Sequence, residues 1–168
     1  MLLCADEHVR PLLEGGTGSA SALADMPDFL PDRLEAGTHN IPGVAGLLEG
    51  LRFVEQRGAA PILEHERRLA LRAVRGLERI PGVEVFAAPG LLNQAGVVAF
   101  RTESMDCEAV AEALGQADIA VRAGLHCAPL AHRSAGTFET GAVRLSFSAF
   151  NQPGEVDRFL AKLAEIVC

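Results

Sequence analysis

The sequence predicts an α+β domain, a small sheet with helices on one face, preceded by an extended arm. Three observations predict it. Apolar residues recur at three- and four-residue spacing over 43–57, 61–80 and 153–167, the period of helices with one buried stripe. Short apolar or alternating runs, such as Gly96-Val97-Val98-Ala99-Phe100 and Val143-Arg144-Leu145-Ser146-Phe147, read as strands. Two helices come first and strands mixed with helices follow, the order of a two-layer α+β domain. At 168 residues and 49% apolar composition, the chain holds enough to bury one core.

The elements follow in order. Residues 14–42 are rich in Gly, Pro, Asp and Ser and lack sustained periodicity. A structureless stretch of that length is unusual inside a compact domain. It is either disordered or an arm that packs on something else. Phe29, Leu30, Leu34 and Ile41 give an arm apolar anchors, which favours the second reading. The division expected is therefore an arm over 1–42 and a domain over 43–168.

The first helix, 43–57, places Val44, Leu47, Leu48, Leu51 and Val54 on one side and ends at Gly58. The second, 61–80, starts on Pro61 and stops at Pro81-Gly82. Strands are expected over 83–87, 96–101, 119–122 and 141–147. Ser104 or Asp106 caps a helix that runs to about Ala117. In the last strand Val143, Leu145 and Phe147 share one face, with Arg144, Ser146 and Ser148 on the other. The final helix, 153–167, lines up Val156, Phe159, Leu160, Leu163, Ile166 and Val167.

Composition excludes several classes of function. A formal net charge of -7 disfavours nucleic acid and anionic membrane, which need clustered positive charge. No apolar run is long enough to span a bilayer. The start, Met1-Leu2-Leu3-Cys4-Ala5-Asp6-Glu7, turns acidic at once and lacks a basic leader. The four cysteines, Cys4, Cys107, Cys127 and Cys168, are scattered, so a reduced, cytoplasmic setting is expected.

Three segments carry possible chemistry. Val121-Arg122-Ala123-Gly124-Leu125-His126-Cys127-Ala128-Pro129 follows a strand and enters a loop. A thiol there can reach a reactant. An unperturbed cysteine is only about 3% thiolate at pH 7, and a neighbouring imidazole or guanidinium raises that fraction. His126 and Arg122 are the candidates; the alternative is that Cys127 is a small apolar filler. Arg144, on the polar side of its strand, suits a carboxylate gripped by two parallel hydrogen bonds, or is a solvated surface arginine. Glu14-Gly15-Gly16-Thr17-Gly18-Ser19 offers backbone N–H groups and hydroxyls to a phosphate, or is a flexible turn. His126, Cys127 and His132 match no common zinc spacing and lack a fourth ligand, so no metal is expected.

Taken together, these segments resemble the cysteine desulfurase branch of the class V aminotransferase family. The likeness runs through Gly15-Gly16-Thr17-Gly18-Ser19, Pro31-Asp32-Arg33-Leu34-Glu35-Ala36-Gly37-Thr38-His39-Asn40-Ile41-Pro42-Gly43, and the loop from Val121 to Pro129. It continues through Val143-Arg144-Leu145-Ser146-Phe147-Ser148-Ala149-Phe150-Asn151 and into the last helix. The resemblance implies the small C-terminal domain of fold-type I, pyridoxal-phosphate-dependent transferases. It implies that Cys127 attacks the sulfur of L-cysteine to leave alanine and a persulfide. Arg144 would bind the substrate carboxylate, with Arg122 and His126 beside it. Gly16 and Thr17 would reach the cofactor phosphate of the partner subunit in a dimer. A sulfur-acceptor protein is a further implied partner.

The basic residues limit what the chain does by itself. Fourteen are arginine and one is lysine, Lys162 on the final helix. The family's cofactor-binding lysine lies on a large domain that precedes the glycine loop. The chain is therefore expected to be a C-terminal fragment, inactive without a large-domain chain. The first helix and the arm should expose apolar surface meant for that partner. A non-enzymatic sulfur carrier using Cys127, or the small domain of another class V aminotransferase or a selenocysteine lyase, are the alternatives.

Overall fold

A computed structural model describes residues 8–167, which divide into two compact units at Phe53–Val54. The expectation for the start of the chain, Cys4 and Cys168 lie outside the described residues. In the first unit the arm is irregular but locally bonded. The Gly37 N–H donates to the Gly16 carbonyl at 2.9 Å, and a single 3-10 turn spans Asp32–Leu34. Helix α1 (Ile41–Arg57) begins here, and the Asn40 side chain accepts the Gly43 N–H at 3.0 Å. An oxygen in that position satisfies one of the donors that a helix start leaves open. The apolar side of α1, from Val44 through Leu47, Leu48 and Leu51 to Val54, is exposed. That agrees with the sequence-based expectation.

The second unit holds the core. Helix α2 spans Ala59–Leu77, strand β1 Val83–Phe86, β2 Val97–Thr102 and helix α3 Cys107–Gln116. Strand β3 spans Arg122–Gly124, helix α4 Pro129–Ser134, strand β4 Ala142–Ser146 and helix α5 Pro153–Val167. The four strands form one antiparallel sheet in the order β1-β2-β4-β3. Helices α2, α3 and α5 cover one face of it. Their buried stripes, Leu69, Ala73 and Leu77 from α2, Val110 and Leu114 from α3, and Phe159 and Leu163 from α5, meet Val98, Phe100, Val143 and Leu145 of the sheet. The Phe100 and Phe159 rings pack tilted with centroids 5.8 Å apart. Gly76 lets α2 and α5 close up, since a Cβ there would collide with the Leu160 side chain.

Local signals account for most boundaries. The Asp106 carboxylate accepts the Ala109 N–H at 2.7 Å and starts α3, as the cap reading requires. Two differences stand out. The third strand lies at Arg122–Gly124 instead of over 119–122. Asp118 turns left-handed at the end of α3 (φ 57°), and the Ile119 N–H folds back to the Leu114 carbonyl, so pairing begins only at Arg122. Second, the segment after Cys127 is not all loop but contains α4, with Pro129 in its first turn.

Candidate functional site

The site is built on the sheet face turned away from the helices. On β4 the side chains alternate. Val143 and Leu145 enter the core, and Arg144 points to the opposite face. The register sets Arg144 directly across from Arg122 on β3 and from Ala99 on β2. Directly opposed residues project to the same side, so two guanidiniums are neighbours on one face. Like charges so placed are destabilising. The Arg144 Nε is buried and has no hydrogen-bond partner among the described residues.

Strand β3 runs straight into the turn that carries the thiol. The Ala128 N–H donates to the Leu125 carbonyl at 2.8 Å, closing a four-residue turn around His126 and Cys127. Both central residues are left-handed, with φ of 51° and 57°. That is the type I′ arrangement, usually made from Gly, Asn or Asp. Holding two ordinary side chains there costs on the order of 1–2 kcal/mol each. Cys127 is exposed at its tip, whereas Cys107 is buried.

His126 is tied down behind the thiol. Its Nε2 lies 3.1 Å from the Ala142 carbonyl. A carbonyl only accepts, so Nε2 carries the hydrogen. Burial first, and then the Arg144 guanidinium, hold the imidazole below its ordinary value of 6.5, although the Ala142 carbonyl opposes them. The neutral ring then keeps a lone pair on Nδ1, which is buried and unpartnered among the described residues. His126 also packs against His132 on α4, ring centroids 5.7 Å apart. The His132 Nδ1 in turn lies 2.8 Å from the Thr137 hydroxyl.

Beneath this cluster, Gly124 of β3 approaches Gly141, the residue before β4, closely. A Cβ on Gly141 would sit 2.7 Å from the Cys107 sulfur and 3.1 Å from the Gly124 Cα, and its φ of 63° suits glycine. The Cys107 thiol is pushed up by burial and by its bond to Glu108, so it stays a thiol and a core residue.

The structure thus brings Arg122, His126, Cys127 and Arg144 together in the second unit. Gly16 and Thr17 belong to the first unit. There the Thr17 and Ser19 hydroxyls lie 2.9 Å apart, and the loop lines a hollow of 580 Å³ that also holds Arg33. Sequence reasoning missed Thr137 and the part of His132 in this cluster. The one available signal was Pro129, a helix starter that would have put His132 on a helix. Among the described residues, no three His, Cys, Asp or Glu side chains converge as metal ligands.

Comparison with known proteins extends this picture. A probable cysteine desulfurase of Pyrococcus abyssi is 38% identical over 164 residues, 96% of this chain and 40% of the relative. Probable cysteine desulfurase 2 of Mycobacterium leprae is 33% identical over 90% of the chain and 36% of its own length. The chain therefore spans about two fifths of the length of these two relatives. Among solved structures, the apo cysteine desulfurase of Thermococcus onnurineus superposes with a TM-score of 0.74 at 37% identity, over 82% of this chain and 34% of that one. The Escherichia coli cysteine desulfurase CsdA, in an S-sulfonic acid form, gives 0.71 at 28% identity over the same shares. The α+β fold with its small antiparallel sheet is the one these structures share. The family model for class V aminotransferases matches residues 4–159, and the chain belongs to that family.

Proposed function

We infer that this chain carries the sulfur-accepting side of a pyridoxal-phosphate-dependent cysteine desulfurase site. Cys127 takes sulfur from L-cysteine, and Arg144 with Arg122 holds the substrate carboxylate. The observation that carries this reading is the pair of guanidiniums set opposite each other beside the Cys127 turn. Such a pair is unfavourable until an anion lies against it. A carboxylate supplies that charge and accepts two parallel hydrogen bonds. The likeness to probable cysteine desulfurases supports the substrate class.

The residues fit the cofactor only in part. Thr17, Ser19 and the backbone around Gly16 suit a phosphate, supplied in a dimer by the partner subunit's cofactor. Lys162 does not suit the covalent anchor. Its Nζ donates to the Glu165 carboxylate at 2.9 Å on α5. A Schiff-base lysine sits in a buried or cationic pocket, whereas Lys162 lies on the outer side of α5 with Glu165 beside it. The anchoring amine belongs to residues outside this sequence, and we expect no cysteine turnover from these residues alone. The exposed apolar side of α1 suits the packing of a large domain that carries that amine.

Pyridoxal phosphate, when bound, supplies the electron sink that weakens the bonds around the substrate's α-carbon. This chain's residues do the rest. The guanidiniums fix the carboxylate. His126, neutral with its Nε2–H on Ala142, is a base and not a cation. Through its Nε2–H bond to the Ala142 carbonyl it holds the turn that presents the Cys127 sulfur. The Cys127 sulfur then bonds to the substrate sulfur as the carbon–sulfur bond breaks. The electron pair stays with carbon, which takes up a proton, so thiol plus cysteine become persulfide plus alanine. A sulfur-acceptor protein would then discharge the exposed Cys127.

The test incubates the chain with a separate full-length desulfurase whose own sulfur-accepting cysteine is replaced by alanine, together with cysteine and cofactor, then maps added sulfur by mass spectrometry. One sulfur atom should appear on Cys127 and none after Cys127→Ser. With cofactor and cysteine but no second enzyme, neither alanine nor a borohydride-fixed pyridoxyl label on Lys162 should form. Sulfur landing elsewhere, or turnover with a labelled Lys162, would overturn the reading.

A further inference from the structure

The His126–Cys127 turn raises a question that the substrate-facing residues do not answer. Two non-glycine residues are held left-handed, and a turn of that type opens unless something restrains it. Cys127 is exposed and contributes no hydrogen bond to the restraint. Besides the Ala128 N–H bond to the Leu125 carbonyl that closes the turn, the side-chain restraint is the His126 ring, fixed at one side by the Ala142 carbonyl and at the other by the ring of His132. His132 is 7% exposed and pairs with the Thr137 hydroxyl at 2.8 Å, and Thr137 itself is 2% exposed. The Thr137 N–H donates to the His132 carbonyl at 2.9 Å, and the Thr137 carbonyl accepts the Gly141 N–H at 2.9 Å, one residue before β4. The buried pair is thus bolted to the strand that carries Arg144 and the Ala142 carbonyl.

We propose that His132 is a positioning residue. Held by Thr137, it locks the His126 imidazole with Nε2–H on Ala142 and so keeps Cys127 in its presenting turn. It acts through His126 and touches no substrate. The inference rests on the sulfur-accepting reading only in taking Cys127 as the reacting thiol. The charged and titratable groups around the His126 ring are Arg144 on β4, Arg122 on β3 and His132 on α4. Removing the restraint should let the ring turn outward to water. Its titration should then rise to the ordinary 6.5, and its tautomer should become mixed.

The test compares the full chain with its Thr137→Val, Thr137→Ser and His132→Ala variants. Nitrogen-15 NMR reads the His126 tautomer, and iodoacetamide labelling of the Cys127 peptide is followed from pH 5 to 9. The wild type should show one His126 tautomer, protonated at Nε2, and an imidazole inflection below 6.5. Thr137→Val and His132→Ala should move that inflection up to the ordinary value and mix the tautomers. They should also change the Cys127 labelling rate at pH 7 by at least about threefold, the equivalent of one hydrogen bond. Thr137→Ser, which keeps the hydroxyl, should restore the wild-type profile. A core defect alone would lower the melting temperature without moving the tautomer. An Nδ1–H or mixed tautomer in the wild type would overturn the proposal without any variant, even if the variants fail to fold. So would folded variants with unchanged profiles. Neither measurement depends on sulfur transfer. Failure of Cys127 to accept sulfur would sink the functional reading and leave this one standing.

Discussion

The two faces of the sheet are built from the same strands and obey different rules. Toward the helices, Val98, Phe100, Val143 and Leu145 meet α2, α3 and α5 in one apolar cluster. On the other face, Arg144 and Arg122 lie opposite each other, and the Arg144 Nε and His126 Nδ1 are buried without partners among the described residues. Buried polar groups are normally paired, because leaving one unpaired costs about 1–3 kcal/mol. The helix face is therefore complete as it stands. The open face is not, and its deficits are all of kinds that an anion or a proton would relieve. The proposed site lies on the face left unsatisfied, while stability resides in the other.

Adjacent valines on β2 give the sharpest test. Val98 is 0% exposed and Val97 is 43% exposed. Val98→Ala should cost about 2 kcal/mol in urea unfolding, from lost burial and the cavity left behind. Val97→Ala should cost under about 1 kcal/mol. Equal costs would mean that the faces are not distinct. A smaller effect of unusual sign is expected at Arg144. Arg144→Met removes an unpartnered guanidinium and its repulsion from Arg122, so stability should hold or rise by up to about 1 kcal/mol. A loss beyond 2 kcal/mol, read against the ordinary cost of breaking a buried pair, would show that Arg144 is structural after all.

The smallest effect is in pH. His126 is held below 6.5 in the folded chain, so between its folded and unfolded values the folded state binds fewer protons. Its contribution to stability is full above 6.5 and is lost as pH falls through the folded value. His126→Gln, which keeps a donor for the Ala142 carbonyl, should flatten stability against pH in that window. Asp157 acts lower down. Its hydrogen bond from Arg72 depresses it, so its contribution is full above 3.8 and is lost only below that. A slope that survives His126→Gln just below 6.5 would place the responsible group elsewhere.

What the sequence revealed depended on how local each feature was. Helix α5 was legible because its buried residues, Val156, Phe159 and Leu163, repeat within one element. The Asp106 cap was legible because its partner, Ala109, is three residues away. Strand β3 was misplaced because it has three residues and one neighbour, β4, so no local pattern marks it. The opposition of Arg122 and Arg144 is a matter of register between strands separated by a helix. It cannot be read from either segment alone. The turn at His126–Cys127 was hidden for another reason: its geometry ordinarily announces itself through Gly or Asn, and neither is present. Thr137 gave no signal, since only the fold brings its hydroxyl to His132.

The strand order has a consequence for how the site comes into being. Among the described residues β3 pairs with β4 alone, which is made after it. As the polypeptide leaves the ribosome, Arg122, His126 and Cys127 emerge with nothing to pair against. They wait for residues 142–146 to clear the exit tunnel. The turn that presents Cys127 therefore lacks the Ala142 carbonyl that holds its His126 ring until residues 142–146 have been made.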